Sequence, residues 1–198
     1  MFLFFGGSFD PIHIGHLILA RDVKEVFNFK KVIFIPTYIS PFKVKKGHGA
    51  SVKDRIKMIK LAIKDIPYFD IDTFEVSKKR VSYTLYTVKY LQKRYKLKKV
   101  PWLMGDDSFL QFHKWYKWEK LLKILKPIVV IRKYSKKEIE NYAKKVLKIP
   151  PNYLVIYAGR RLEISSTEIR ERLKKGKDIK FLVPEEVEAY IKKRKLYI

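Results

Sequence analysis

Apolar positions along the chain follow two rhythms that take turns. Short runs with almost no polar position, at Met1–Phe5, Lys31–Ile35, Val100–Met104, Pro127–Ile131 and Tyr153–Tyr157, have the pattern of strands buried on both faces. Tyr68–Val76 reads as a further strand. Between these runs the spacing turns helical. His16–Phe27 keeps Leu17, Ala20, Val23 and Phe27 on one side, and Ser51–Ile63 starts on a good N-cap and carries a broad apolar stripe. Helices are also predicted over Ser82–Tyr95, Ser135–Leu147, Ser166–Lys174 and Pro184–Lys193, with one or two short ones in Ser108–Leu125.

Repeated strand–helix units imply an α/β fold. The expected form is a Rossmann-like, doubly wound parallel sheet with helices on both faces and a small C-terminal helical part over about residues 160–198. A chain of 198 residues without linker or repeat suits a single domain, 1–198. Ligands of such sheets sit beyond the carboxyl ends of the strands. The loops to inspect are therefore 6–16, 36–50, 105–108, 132–135 and 158–166. The longest irregular one, Pro36–Ala50, is a candidate lid.

Composition narrows the chemistry. Cysteine is absent, which excludes disulfides, thiolate metal sites and a cysteine nucleophile. No apolar run approaches the roughly 18 residues of a membrane span, and Met1–Phe5 lacks a basic leader, so a soluble cytoplasmic protein is expected. The net charge of +25 suggests anionic ligands. It is spread evenly, with 21 Lys and Arg against 8 Asp and Glu in residues 1–100 and 24 against 12 in the remainder. With no basic tail and no nucleic-acid motif, a nucleic-acid-binding role is the weaker reading.

The strongest local signal is Gly6-Gly7-Ser8-Phe9-Asp10-Pro11-Ile12-His13-Ile14-Gly15-His16. Two glycines at a strand end let backbone N–H groups approach a phosphate. Two histidines at the entrance of the next helix can donate hydrogen bonds to phosphate oxygens where positive partial charge already gathers. A His-x-x-His metal site lacks further ligands, and neither the dinucleotide fingerprint nor the Walker loop is present. The second signal is Ile164-Ser165-Ser166-Thr167-Glu168-Ile169-Arg170. It reads as a capping box, Ser165 to Glu168, and its hydroxyls and arginine also make an anion site.

Together these two stretches resemble the nucleotidyltransferases that share a His-x-Gly-His loop and an Ile-Ser-Ser-Thr-x-Ile-Arg helix start. Within them the chain is similar to the bacterial nicotinate-nucleotide adenylyltransferases from end to end. Supporting stretches are Ile35-Pro36-Thr37, Pro41-Phe42-Lys43, Arg55-x-x-Met58, Ser82-Tyr83-Thr84, Gly105-Asp106-Asp107-Ser108, Trp115-x-x-Trp118 and Leu182-Val183-Pro184. The chain departs from the family pattern in three places. Ser40-Pro41-Phe42-Lys43 replaces Pro-Pro-His-Lys, Asp106 stands where a small or neutral residue is usual, and Lys133-Tyr134-Ser135 follows Arg132 in place of Arg-Pro-Gly.

The resemblance implies transfer of the adenylyl group of ATP to nicotinate mononucleotide, giving deamido-NAD and pyrophosphate. A preference for nicotinamide mononucleotide or phosphopantetheine is the alternative. It implies ATP contacts from Gly6, Gly7, Ser8, Phe9, His13, His16, Gly105, Asp107, Ile164, Ser165, Ser166, Thr167 and Arg170. Mononucleotide contacts would come from Lys43, Tyr83, Thr84, Trp115 and Arg132. His13, His16 and Arg170 would act on the phosphates, with Mg²⁺ arriving on ATP rather than on protein ligands. The sequence leaves the oligomeric state open, a homo-oligomer included.

Overall fold

Strand β1 (Phe2–Gly7) shows how the sheet divides the molecule. Successive strand side chains point to opposite faces, so Leu3 and Phe4, both fully buried, enter two different cores. The computed structural model describes residues 1–44 and 47–198, and the side chains of Lys43 and Pro151 lie outside that description. Five strands join β1: β2 (Lys31–Pro36), β3 (Phe69–Ile71), β4 (Val100–Gly105), β5 (Leu125–Val130) and β6 (Val155–Tyr157). All pairs are parallel, in the order β3-β2-β1-β4-β5-β6. This is the expected doubly wound sheet.

Helices cover both faces, as the patterning predicts. On one, Val32, Phe34, Leu103 and Ile128 pack against α1 (Ile14–Val26), α2 (Val52–Ala62), α8 (Ser166–Lys174) and α9 (Glu185–Arg194). Leu19, Met58, Ile169 and Val187 are the inward residues of those helices. On the other face, Ile33, Ile35, Trp102 and Val129 meet α4 (Thr84–Tyr95), α5 (Asp106–Phe109), α6 (Trp118–Ile124) and α7 (Lys136–Lys145). Their anchors are Val88, Phe109, Leu121 and Ile139.

Polar side chains set several helix starts. Ser51 Oγ accepts the Asp54 N–H at 3.1 Å and starts α2, and Ser135 and Glu138 form a complete capping box on α7. Ser165 Oγ accepts from Glu168 N at 3.1 Å, the Ser half of the box expected on α8. One expectation is corrected. Tyr68–Val76 is not a continuous strand: β3 stops at Ile71 and a short helix, α3, occupies Phe74–Ser77. The cause is Asp72, whose Oδ1 accepts the Phe74 N–H at 2.9 Å and turns the chain.

The order of strands reverses between β1 and β4, so their carboxyl ends diverge there and open a crevice. Gly6 and Gly105 sit at those two ends. Gly6 leaves room for the indole of Trp102: a Cβ at residue 6 would stand 2.1 Å from Trp102 Cζ2. Trp102 is 3% exposed, packed in the core under β1 and β4. Gly6→Ala is therefore expected to cost about 1–3 kcal/mol by overpacking, read as a lower urea midpoint at unchanged slope.

Candidate active site

The loop from β1 to α1 places two imidazoles at one wall of the crevice. His13 is the extended N-cap of α1, and His16 is its third residue. The His13 N–H donates to His16 Nδ1 at 3.3 Å, so the pair caps the helix much as Ser and Glu do elsewhere. That bond leaves the proton of neutral His16 on Nε2. The rings stack with centroids 3.6 Å apart at 30°. Phe9 stands edge-on to His16 at 5.1 Å and also meets Phe5 and Phe34 at 5.4 and 5.5 Å. These contacts hold Phe9 at φ +46°, a left-handed conformation that a bulky residue rarely adopts.

Burial, seconded by the charge of Arg132, pushes the His13 pKa down to about 3. Burial, then His13 and Arg132, holds His16 well below the usual imidazole range. Both rings are thus neutral N–H donors at physiological pH. His13 Nδ1 is buried without a hydrogen-bond partner. The crevice beside them is lined by Gly6, Gly7, Phe9, His13, His16, Gly105, Asp107, Trp115, Arg132 and Ile164.

The two sequence motifs meet at this loop. Ser166 Oγ donates to the Pro11 carbonyl at 2.8 Å, and Arg170 Nη1 donates to the Asp10 carbonyl at 2.7 Å. Arg170 Nη2 also reaches Thr167 Oγ1 at 3.2 Å. The Asp10 carboxylate, 3% exposed, is the centre of the junction. It accepts N–H bonds from Gly49 (2.8 Å) and Ala50 (3.1 Å) and the Tyr197 hydroxyl (2.7 Å), with His48 Nδ1 3.7 Å away. Burial alone would raise its pKa, yet these donors hold it far below the usual carboxylate range. The fully buried Arg55 adds a second tie, donating to the carbonyls of Ser8 (2.7 Å) and Tyr38 (3.1 Å) and so joining the loops after β1 and β2.

A second lobe opens from the first. It is lined by Ser8, Ser40, Phe42, Glu75, Tyr83, Thr84 and Lys114, and it shares Gly6, Gly7, Trp102, Asp107, Ser108 and Trp115 with the histidine lobe. Its volume, about 620 Å³, suits a small-molecule site. Tyr83 caps α4, and Tyr83, Thr84 and Leu85 bring that helix start to the lobe wall. Trp115 stacks on Phe112 at 5.0 Å and 27°.

Of the residues singled out in the sequence, Gly6, Gly7, Phe9, His13, His16, Gly105, Asp107 and Ile164 converge on the first lobe, and Ser8, Tyr83 and Thr84 on the second. Trp115 borders both. Arg132, expected beside the mononucleotide, lines the first lobe. Ser165, Ser166, Thr167 and Arg170 sit behind the loop rather than on the crevice wall. The Lys43 side chain is outside the described part.

Two of the departures from the family pattern prove to be one. Asp106 Oδ2 accepts the N–H groups of Arg132, Lys133 and Tyr134 at 2.7–2.8 Å. Burial disfavours its charge, but these amides and that of Asp107 outweigh it and lower its pKa. A proline at position 134 has no N–H to give, so the acid at 106 and the tyrosine at 134 belong together. Asp10, Arg55, Asp106 and Tyr197 received no role from the sequence. Asp10 lies inside the quoted motif, and its partners are too far along the chain for any local pattern to reveal.

Among the described residues no group of three or more His, Asp or Glu side chains is placed to hold a metal ion, and no helix is long and apolar enough to cross a membrane. The chain matches the cytidylyltransferase-like family over residues 4–172. It is 48% identical to a protein of Aquifex aeolicus (strain VF5) named probable nicotinate-nucleotide adenylyltransferase, over 85% of this chain and all of that one. A protein of the same name from Hydrogenobaculum sp. (strain Y04AAS1) is 42% identical, over 98% of this chain and 96% of its own. The fold resembles the Plasmodium falciparum nicotinic acid mononucleotide adenylyltransferase complexed with NaAD, with a TM-score of 0.81 over 99% of this chain and 96% of that one at 21% identity.

The histidine pair makes the free protein acid-sensitive in a defined window. Above the unfolded pKa of about 6.5 both states are neutral and nothing changes. Below it the unfolded chain binds protons that folded His13 refuses until about pH 3. The unfolding free energy from urea titrations in an anion-poor buffer should therefore fall by about 2 kcal/mol on account of His13 between pH 6.5 and 5, and His13→Asn should remove that part of the slope.

Proposed function

The chain belongs to the cytidylyltransferase-like family and, within it, to the nicotinate-nucleotide adenylyltransferases, and from that membership we propose how its crevice joins ATP to nicotinate mononucleotide. The observation that carries the reading is the common wall of the two lobes. A nucleotide in each would bring its phosphate end to Gly6, Gly7 and Asp107, where one phosphate can attack the other.

In this reading the triphosphate lies along the histidine lobe, against the backbone of Gly6 and Gly7. A phosphate oxygen of the mononucleotide bonds to the α-phosphorus as the bond from that phosphorus to the bridging oxygen breaks, and pyrophosphate leaves with the electron pair. No protein nucleophile is required. The protein aligns the two phosphates and stabilises the charge that develops between them. His16 Nε2–H and His13 are the imidazole donors in the wall of the triphosphate's lobe, and their neutrality lets them donate without a prior loss of charge. Arg170, Ser165, Ser166 and Thr167 act from behind, fixing the loop through Pro11 and Asp10 while the start of α8 adds positive potential. In the second lobe Trp115 offers a flat aromatic face to the pyridine ring, and the first amides of α4 suit its carboxylate.

The donor set fits a Mg²⁺ that comes with ATP, held by phosphate oxygens and water with Asp107 as the acidic side chain common to both lobes. When bound it neutralises phosphate charge.

Pyrophosphate release with ATP, Mg²⁺ and nicotinate mononucleotide tests the reading directly, and its absence would refute it. His16→Ala should lower kcat by about 10²–10³-fold, the cost of one oxyanion donor, while KM for ATP changes far less. Unchanged turnover in that variant would remove the histidine from the mechanism.

A further inference from the structure

Glu75 is a buried acid that the transfer chemistry leaves unused. It lies in α3, 5% exposed, in the wall of the second lobe beside Ser82, Tyr83 and Thr84. Oε1 accepts a hydrogen bond from Thr87 Oγ1 at 2.6 Å, while Oε2 is buried without a partner. No ion pair engages it among the described residues. Burial drives its pKa up to about 7, against the Thr87 and Ser82 hydroxyls and with a small addition from Asp72.

The surrounding charges do not cancel it. Asp72 is already engaged by the Phe74 N–H, by the Tyr90 hydroxyl at 3.3 Å and by Arg94 at 3.9 Å. Lys78, Arg80, Tyr83 and Tyr86 border the small hollow on its outer side. Asp107 and Lys114 border the lobe itself.

We propose that Glu75 sets which pyridine substituent the second lobe accepts: as the neutral acid it admits a carboxylate beside Tyr83 and Thr84, and as the anion it favours a carboxamide. The inference rests on reading that lobe as the mononucleotide site. A protonated carboxyl can donate a short, charge-assisted hydrogen bond to a nicotinate carboxylate. An ionised one repels that carboxylate and instead accepts from the –NH₂ of a nicotinamide.

The test is the ratio of kcat/KM for nicotinate mononucleotide to kcat/KM for nicotinamide mononucleotide, from pH 5.5 to 8.5. ATP, Mg²⁺ and the ribose phosphate are common to both reactions, so their titrations cancel in the ratio. The ratio should fall by about tenfold through neutrality, and Glu75→Gln should make it independent of pH. A flat ratio in the unaltered enzyme overturns the proposal whether or not the variant folds. A ratio that still falls in folded Glu75→Gln overturns it as well. Calorimetry in buffers of different ionisation enthalpy gives a second reading: near pH 7.5 the nicotinate form should bind with proton uptake and the nicotinamide form without it, and equal uptake counts against Glu75. Turnover of neither mononucleotide would instead defeat the reading of the lobe, and this proposal with it.

Discussion

The carboxylate of Asp10 is the constraint on which the rest of the site depends. It is an anion taken out of water, and it stays charged because His48, the Gly49 and Ala50 amides and the Tyr197 hydroxyl aim at it. Those donors come from two distant stretches of chain, and the carbonyl of the same residue holds Arg170. One residue thus fixes the histidine loop, the end of the long loop after β2, the start of α8 and the segment that follows α9. Removing any of these donors leaves the buried charge less well compensated, and so the elements are energetically tied to one another.

That coupling explains how a mobile-looking piece of sequence can serve as a rigid crevice wall. The loop Gly6–His13 contains two glycines and a left-handed phenylalanine, yet it is clamped from three sides. Phe9 is held by Phe5, Phe34 and His16, Ser8 by Arg55 through its carbonyl, and Pro11 by Ser166. The histidines inherit this order. Their low basicity follows from the same burial, which makes them neutral imidazoles rather than exchangeable cations.

Much of this was legible in the chain. The apolar runs and helical stripes carry the sheet, its parallel sense and the two-sided layering, because both strand burial and helix amphipathicity are local signals. Tyr68–Val76 misled because its apolar content suits a strand, while a single carboxylate, Asp72, bends the backbone into α3. The two phosphate motifs were readable as motifs, and their meeting is a tertiary fact. Arg132 stands in the wall of the histidine lobe because Asp106 gathers the three amides that follow β5, a long-range contact that no local pattern announces. Glu75 gave no signal at all, since an isolated acid in a short apolar stretch looks like a solvated surface residue.

The bond between Asp10 and Tyr197 closes a span of 187 residues. During vectorial synthesis the first β–α unit emerges well before Tyr197, and until that hydroxyl is made the Asp10 carboxylate has only the nearer donors around Gly49 and Ala50 to draw it out of water. The sheet can form early from its nearer neighbours, but the wall of the crevice is complete only when a side chain 187 residues beyond Asp10 has been added. A nascent or truncated chain should then be a folded sheet that cannot yet hold a triphosphate, so binding competence and folding arrive at separate moments.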